Sequence, residues 1–482
     1  MRLLALAVVV GFCSAGFAAT PPSPPPSSLS SSSTAKLPTI ETFQLANGLR
    51  VAFMRIDSAP VVAVQVWYHA GSKDEPHDRR GSAHMFEHMM FKGTTHVRSE
   101  AHAQDINGIG GYVNATTDED ATHYIDTLPS DYFDFAVQLE AERMRNLLFR
   151  KEMIDGEREV VKEEIRQEEN SPIAKGFLRF LAIAYTKHPY AWTAGGNLKD
   201  LDATTPEDLK RFYDAYYEPN NAMLVVVGKA TLEQVKTSAE KWFGQIPKAA
   251  DPPRPAQALT EPEQTEKRRE VVEPGQVGIS LVGWHIPAAK DKDVYALQVA
   301  SILLGSGDSS RLKVRLKAID PKTKRALALD GGVEAIVRED PGMIVALGAY
   351  LDASQADPVE AAIFDEIAKL GAHGPKPDEL RKAKNQVQAG FVFSLEHVQG
   401  LAEAVGRSWI LTGDPTQFTR DVDEIEKVTA ADVARVVKTY MAPNRATIVV
   451  IPPPLRPALP PDQKSAPPPA SQPKAEPKQE RK

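Results

Sequence analysis

Apolar residues along the chain follow two different periods, and each period predicts one kind of element. The unbroken apolar run at 61–70, VVAVQVWYHA, predicts a buried strand. Residues 122–128 are rich in β-formers and predict another strand, whereas residues 132–148 have the 3.6-residue period of an amphipathic helix. Strands and helices interspersed in this way predict an α+β fold, with the helices on one face of a largely antiparallel sheet.

Two segments of similar pattern indicate that this fold is built twice. One segment begins at Thr205 and the other at Thr429, and each contains an amphipathic helix, a Pro-Asn turn and a β-branched strand. Both threonines suit the N-cap of a helix. The Pro-Asn turn stands at the same interval from the start of each segment, which argues against coincidence. We therefore expect an internal duplication and two domains.

Proline-rich stretches predict where the domains begin and end. Residues 20–37 are rich in Pro and Ser and predict a flexible linker, and residues 453–482 predict a disordered tail. Residues 247–268 predict a linker between the domains. The N-terminal domain is thus expected at 38–246 and the C-terminal domain, with the duplicate fold, at 269–452.

The N-terminus predicts a signal peptide over residues 1–19. Arg2 precedes an apolar run too short to span a bilayer, and Gly16 and Ala18 suit a cleavage site. No later stretch has the length and hydrophobicity of a transmembrane helix. The only cysteine is Cys13, so the exported chain would have no disulfides and would depend on the size of its core. We expect a periplasmic or secreted protein.

The overall composition is that of a globular protein, with 42% hydrophobic and 25% charged residues. The formal net charge of -7 argues against a nucleic-acid partner, because binding to phosphates requires a basic surface.

The clearest chemical signal is the sequence HMFEH at 84–88. Residues four apart on a helix lie above one another on one face, so the imidazoles of His84 and His88 can share one zinc ion. Glu87 flanks the same face, where its carboxylate can reach a metal-bound water without binding the metal itself. The alternative interpretation is a polar helix face with two solvated histidines.

A catalytic zinc site needs a third protein ligand and an open fourth position. Glu157 and Glu164 lie on a predicted helix, in a stripe that also contains Val160 and Val161 and is expected to face the core. Carboxylates in such a stripe are costly to bury unless they are paired or bind a metal. The whole segment is acidic, so spacing alone leaves open whether Glu164 or a solvated neighbour is involved.

Together these segments resemble the pitrilysin/insulinase family of inverted zincins, in which HxxEH replaces the commoner HExxH. The two-domain branch that includes mitochondrial processing peptidase is the most similar. The resemblance covers roughly residues 40–450 and rests on GSAHMFEHMMFKGT, GGYVNATT, DATHY, ERxVVxxE, HPY and PNNAMLVVVG. It implies a clamshell of two duplicated domains and a zinc-dependent endopeptidase that cleaves peptides or unfolded polypeptide segments.

The resemblance also assigns roles to residues. It implies one Zn²⁺ per chain, held by the side chains of His84, His88 and Glu164, with Glu87 as general base. Glu157 matches a glutamate that supports the ligands.

The resemblance further indicates where substrate would bind. Asn114 and Ala115 match the family segment that lines the substrate cleft, where a peptide adds as a strand to a sheet edge.

The C-terminal half departs from the family pattern after GSGDSSRL at 305–312. In the family, an Arg and a Tyr that grip substrate follow this segment. Here the Tyr is absent, because residues 326–329 read ALAL, and the Arg is either Arg315 or Arg325. The departure suggests that a related subunit supplies the Arg/Tyr pair in a homo- or heterodimer. A self-sufficient monomer is the alternative.

Other functions are compatible with parts of the pattern. A non-catalytic structural or assembly subunit could have the same fold, but the intact motif favours an enzyme. A zinc-holding binding protein would not need a base at Glu87. A cytosolic or organellar processing enzyme is opposed by the signal-like N-terminus.

Overall fold

The computed structural model describes residues 38–254 and 259–454. The predicted signal peptide, the Pro/Ser-rich linker and the tail from residue 455 onward lie outside the described residues.

The first half contains, in chain order, β1 (Ile40–Gln44), β2 (Arg50–Arg55), β3 (Val61–Tyr68), α1 (Ser82–Met89), α2 (Ala101–Gly108), β4 (Tyr112–Thr117), β5 (Thr122–Pro129), α3 (Phe133–Arg145), α4 (Lys151–Glu169), α5 (Pro172–Ala184), α6 (Leu198–Ala203), α7 (Pro206–Tyr216), β6 (Ala222–Gly228) and α8 (Leu232–Trp242).

The second half repeats much of this order. It contains β7 (Arg268–Val271), β8 (Gly278–His285), α9 (Asp293–Gly305), α10 (Arg311–Lys317), β9 (Asp330–Ile336), β10 (Met343–Tyr350), α11 (Ala356–His373), α12 (Pro377–Ser394), α13 (Val398–Thr412), α14 (Phe418–Lys427), α15 (Ala430–Tyr440) and β11 (Thr447–Ile451).

Each half forms one largely antiparallel sheet. The strand order is β1-β2-β6-β3-β5-β4 in the first sheet and β7-β11-β8-β10-β9 in the second. One pair in each sheet is parallel, β2 with β6 and β7 with β11. From β2 onward the two orders correspond strand for strand, which confirms the predicted α+β fold of two duplicated domains.

The repeated helix–turn–strand unit has the same local chemistry in both copies. The hydroxyls of Thr205 and Thr429 cap α7 and α15 by accepting from the backbone N–H of Asp208 and Asp432. The two aspartates bind back to the threonines, which completes a capping box in each copy. These caps explain why both helices begin where the sequence predicts.

The helices do not all cover the sheet of their own half. The main core of the first half lies between one face of its sheet and helices α1, α3, α4, α7 and α8. The opposite face of that sheet is covered by α13, which packs on β3 and β6. In return, α5 packs on β8 and β11 of the second sheet. Because β3 and β6 correspond to β8 and β11, the exchange is reciprocal.

Two glycines allow these exchanged helices to approach so closely. A Cβ at Gly406 in α13 would lie 2.2 Å from the ring of Trp67 in β3. A Cβ at Gly176 in α5 would lie 2.3 Å from the side chain of Ile451 in β11. Either contact is too short for a real side chain, so both positions need glycine for the observed packing.

Within the described residues, we find no helix with the length and apolar character needed to cross a membrane.

Candidate metal centre

The candidate metal-binding histidines lie on α1, a helix whose N-terminus is fixed by a buried glutamate side chain. Glu75 accepts hydrogen bonds from the backbone N–H of Gly81 at 3.0 Å and of Ala83 at 2.8 Å. Gly81, the N-cap, has a φ of 94°, a left-handed conformation that favours glycine. Burial raises the pKa of Glu75 to about 8, although the two backbone N–H groups oppose the shift.

The sequence HMFEH divides between two faces of α1. Met85, Phe86 and Met89 are buried in the core of the first half. His84, although 2% exposed, borders the cleft between the halves together with Glu87. The apolar face therefore anchors the helix while the polar face carries the candidate chemistry.

The candidate glutamates come from α4, which packs against α1. Glu157 is half-buried, and the side chain of Glu164 is 34% exposed. The predicted apolar stripe was wrong at Val160, which is 45% exposed. Val161 is buried as predicted, and the other buried apolar side chains of α4 are Ile154 and Ile165, so the helix is rotated relative to the expected face.

His84, His88 and Glu164 converge on one point. The Nε2 atom of His84 lies 3.4 Å from Oε2 of Glu164, and Nε2 of His88 lies 3.8 Å from the same oxygen. One ligand atom from each residue lies within 4.8 Å of the other two. Tetrahedral ligands about 2.1 Å from a zinc ion are separated by about 3.4 Å, so the donor set fits zinc.

Glu87 and Glu157 lie beside this donor set but differ in their partners. The buried Oε2 atom of Glu87 has no hydrogen-bond partner among the described residues. Glu157 lies 3.3 Å from Nδ1 of His88 and 2.9 Å from the ammonium of Lys92. Glu157 can therefore orient the His88 ring so that Nε2 faces Glu164, while Glu87 keeps an unused acceptor.

The electrostatics of the cluster follow from these contacts. Burial lowers the pKa of His88, but its bond to Glu157 and the charge of Glu164 outweigh that effect and raise the pKa overall. The hydrogen bond from His84 lowers the pKa of the Glu164 carboxyl, against the effect of burial. Burial raises the pKa of Glu157, but His88 and Lys92 more than compensate and lower it. Both glutamates are therefore held in the carboxylate form, which binds metals and orients histidines.

The cleft next to this cluster has a volume of about 640 Å³ and lies between the edge strands of the two sheets. β4 and β9 each end their sheet with a single neighbouring strand in the described residues. Asn114 of β4 lines this cleft. Ala115 does not, because its side chain is 3% exposed and packs in the core, so only its backbone could take part in binding.

Sequence reasoning missed the charged residues that close the cleft from the second half. Arg338, just after β9, pairs with Glu119, and Arg407 of α13 lies 3.2 Å from Asp118. Both arginines line the cleft. Arg338 lies where β9 passes into a loop, and no sequence motif marks this position. Its contact with Glu119 is therefore visible in the folded structure and not in the sequence.

The structure also shows where the two arginines lie between which the sequence could not choose. Neither Arg315 nor Arg325 lines the described cleft, and both are exposed. Leu329, at the end of the ALAL segment, is 45% exposed.

A second group of potential ligands, His102, Asp126 and Glu140, was also missed. One ligand atom of each lies within 4.8 Å of the others, and all three residues are buried. The fully buried guanidinium of Arg143 is paired with Glu140, and Nε2 of His102 lies 3.1 Å from Asp126. The Arg143 guanidinium already supplies a positive charge beside these carboxyl groups, so this group fits an ion network better than a metal site. The sequence signal for this group was that polar residues stand in β5 and α3 at positions where the pattern calls for apolar ones.

Two family models match the chain. Residues 50–194 match the model described as insulinase (peptidase family M16), and residues 203–387 match the model described as peptidase M16 inactive domain.

Named relatives match nearly the whole described chain. Zinc protease PqqE of Helicobacter pylori is 30% identical over 421 residues, which cover 86% of this chain and 94% of that protein. A probable mitochondrial-processing peptidase subunit beta of Arabidopsis thaliana is 26% identical over 429 residues, covering 86% of this chain and 79% of that protein.

Solved structures agree on the fold. A protease from Helicobacter pylori superposes with a TM-score of 0.81 at 29% identity, covering 86% of this chain and 100% of that one. The periplasmic protease PqqL from Escherichia coli has a TM-score of 0.70 at 20% identity, covering 86% of this chain and 48% of that one. The second likeness shows the fold alone.

Proposed function

The chain belongs to the insulinase family, peptidase family M16, and we propose that it is a zinc-dependent endopeptidase acting on peptides or unfolded polypeptide segments. The observation that carries the proposal is the convergence of His84, His88 and Glu164 beside the unpaired carboxylate oxygen of Glu87. A metal-binding protein without turnover would need the first three residues but not the fourth.

The roles of the side chains follow from their positions. His84, His88 and Glu164 would hold one Zn²⁺, which when bound activates water and polarises the scissile carbonyl. Glu87 would accept a proton from the attacking water and deliver it to the leaving amine. Glu157 would keep Nε2 of His88 directed at the donor set through its contact with Nδ1.

The edge of β4, which no other described strand pairs with, supports a mode of substrate binding. An extended peptide can add to this edge as a further strand, and Asn114 on the cleft face of β4 would lie beside it. Backbone pairing supplies affinity with little demand on sequence, which suits an enzyme acting on unfolded segments.

A related subunit is part of the proposal. The described cleft lacks the Arg/Tyr pair in its expected place, and several apolar side chains near that segment in the sequence are exposed. They are Val314, Ile319, Leu329 and Leu351, each at least 45% exposed. Exposed apolar side chains are a feature of regions that a partner covers. Co-purification from the native source tests this, and full activity of the isolated chain would contradict it.

We also propose that the protein is exported to the periplasm or secreted. The signal-like residues 1–19 support this location, and a periplasmic relative shares the fold.

The alternative is a non-catalytic subunit of the same fold. One observation favours it, since the second half matches a model described as an inactive domain. Both described groups of potential metal ligands, however, lie in the other half.

The test is hydrolysis of a quenched fluorescent peptide library by the mature chain and by Glu87→Gln, with zinc measured in both. Loss of the general base should lower the rate by roughly 10²–10⁴-fold while about one zinc per chain is retained. Glu163→Gln is the control, because Glu163 is exposed on α4 beside the ligand Glu164 and, among the described residues, its ion pair is with Arg166 at 3.3 Å.

Each other outcome has a distinct meaning. Equal rates for wild type and Glu87→Gln would refute the assigned base. Bound zinc with no turnover, alone or with a co-purified subunit, would favour the non-catalytic alternative. Absence of bound zinc at neutral pH would refute the metal site.

A further inference from the structure

The geometry of the metal centre depends on α1, which is only eight residues long. A helix this short has little stability of its own in water, so its position must come from tertiary contacts. Glu75 holds the N-terminal end. The contacts of Glu75 lie one turn or more before Glu87 and His88, so the rotation of the helix at those residues needs a further contact.

A tyrosine from the adjacent sheet holds the middle of α1. Tyr124 of β5 is fully buried and donates its hydroxyl to the carbonyl oxygen of Phe86 at 2.9 Å. That carbonyl also accepts the helical bond from the N–H of Met90 at 3.1 Å. Phe86 immediately precedes Glu87, so the tyrosine binds the backbone at the residue before the proposed base.

The ring of Tyr124 is itself held in place. The Arg143 guanidinium lies 4.2 Å from the ring centroid, within the range of a cation–π contact. Arg143 is fully buried and paired with Glu140, in the ion network that also contains Asp126. None of these groups reaches the cleft, and the proposed chemistry uses none of them.

We propose that Tyr124 is a positioning residue, whose hydroxyl fixes the rotation of α1 so that the side chains of Glu87 and His88 point toward Glu164. Tyr124 touches neither the donor set nor the cleft, so it acts through the Phe86 carbonyl. This inference rests on the proposed peptidase function.

The test compares Tyr124→Phe with a closely matched variant, Tyr213→Phe. Tyr213 is also buried and donates its hydroxyl to a backbone carbonyl at 2.9 Å, but that carbonyl belongs to Arg143 in α3. Each variant keeps its ring and loses one buried hydrogen bond of the same length. We expect similar decreases in the urea unfolding midpoint. We expect kcat to fall roughly tenfold or more, with KM within about twofold, only in Tyr124→Phe.

A second readout does not depend on turnover. Zinc is replaced by Co²⁺ in both variants, and the visible absorption of the ion reports the geometry of its ligands. The spectrum should change in Tyr124→Phe and match wild type in Tyr213→Phe. Equal kcat and superimposable spectra for the two variants would overturn the positioning role.

Failure of this inference is distinguishable from failure of the function. If Tyr124→Phe has the kcat of wild type while Glu87→Gln is inactive, only the role of Tyr124 is refuted. If wild type and Glu87→Gln are equally active, the proposed peptidase mechanism is refuted, and the role of Tyr124 rests on that mechanism.

Discussion

At the scale of single residues, the contact between Glu157 and His88 makes a prediction about metal affinity. The negative charge of Glu157 favours a proton on Nδ1 of His88, and that tautomer leaves Nε2 free for the metal. Glu157→Gln removes this charge. We expect zinc affinity to fall by about 10- to 100-fold, the usual effect of losing a carboxylate behind a metal-binding histidine. Competition with a chelator at fixed pH measures the change. An affinity within twofold of wild type would show that Glu157 serves only to pair with Lys92.

Individual residues also show where sequence reasoning stops. The spacing of His84, Glu87 and His88 placed them on one helix face, because helical geometry is local. The interpretation of Val160 as a core residue was wrong, since the rotation of α4 is set by α1 and the acidic segment offers several equivalent faces. Arg338 lies too far along the chain from Glu119 for any local pattern to connect them.

At the scale of elements, the two capping boxes allow a comparison within one chain. The contact with Arg79 and the cap at Thr205 lower the pKa of Asp208 to about 2, against burial. A carboxyl with a depressed folded-state pKa stabilises the fold above its unfolded pKa, near 4, and loses that contribution as pH falls through about 2. Asp208→Asn should therefore cost about 1 kcal/mol at pH 6 and progressively less in acid.

Urea unfolding of Asp208→Asn between pH 6 and pH 2.5 checks this expectation. Asp432→Asn is the control, because Asp432 caps α15 in the same way but its nearest cation, Arg435, lies 3.9 Å away. We expect a smaller effect at pH 6 for that variant. A pH-independent loss in Asp208→Asn would mean that the charge of the aspartate does not contribute.

The elements themselves were largely predictable. The apolar run at 61–70, the helix after Thr205 and the duplicated strand after Pro443 all appear where period and capping indicated. The hydrophobic pattern could not show which sheet each helix packs against. α5 and α13 are amphipathic like their neighbours, and nothing in their sequences says that each covers the sheet of the other half.

At the scale of the whole molecule, Lys73 is an ionic link between the halves. It is 3% exposed and lies 2.7 Å from Asp120 and 2.5 Å from Glu339 of the second half. Burial lowers the pKa of Lys73, but the two carboxylates outweigh it and raise the pKa, so the group stays charged. Lys73→Met removes the ammonium that pairs with buried Asp120 and leaves Glu339 with His69 alone, so it should cost about 3–5 kcal/mol in the free energy of unfolding.

Urea unfolding at pH 7 measures this loss, with Lys175→Met as the control. Lys175 is 51% exposed and lies 3.9 Å from Glu273, so its replacement should change the free energy by less than about 0.5 kcal/mol. Similar values for both variants would show that the halves are held together without this ion pair.

The reciprocal cover of the two sheets has a consequence for the origin of the chain. If the two copies were separate polypeptides, each would give one helix to its partner and receive the equivalent helix in return, which is the exchange that defines a domain-swapped dimer. Fusing such a dimer into one gene preserves the exchange but frees each copy to change alone. In the described halves, the first copy holds the ligand cluster, whereas the second has become a wall of its cleft.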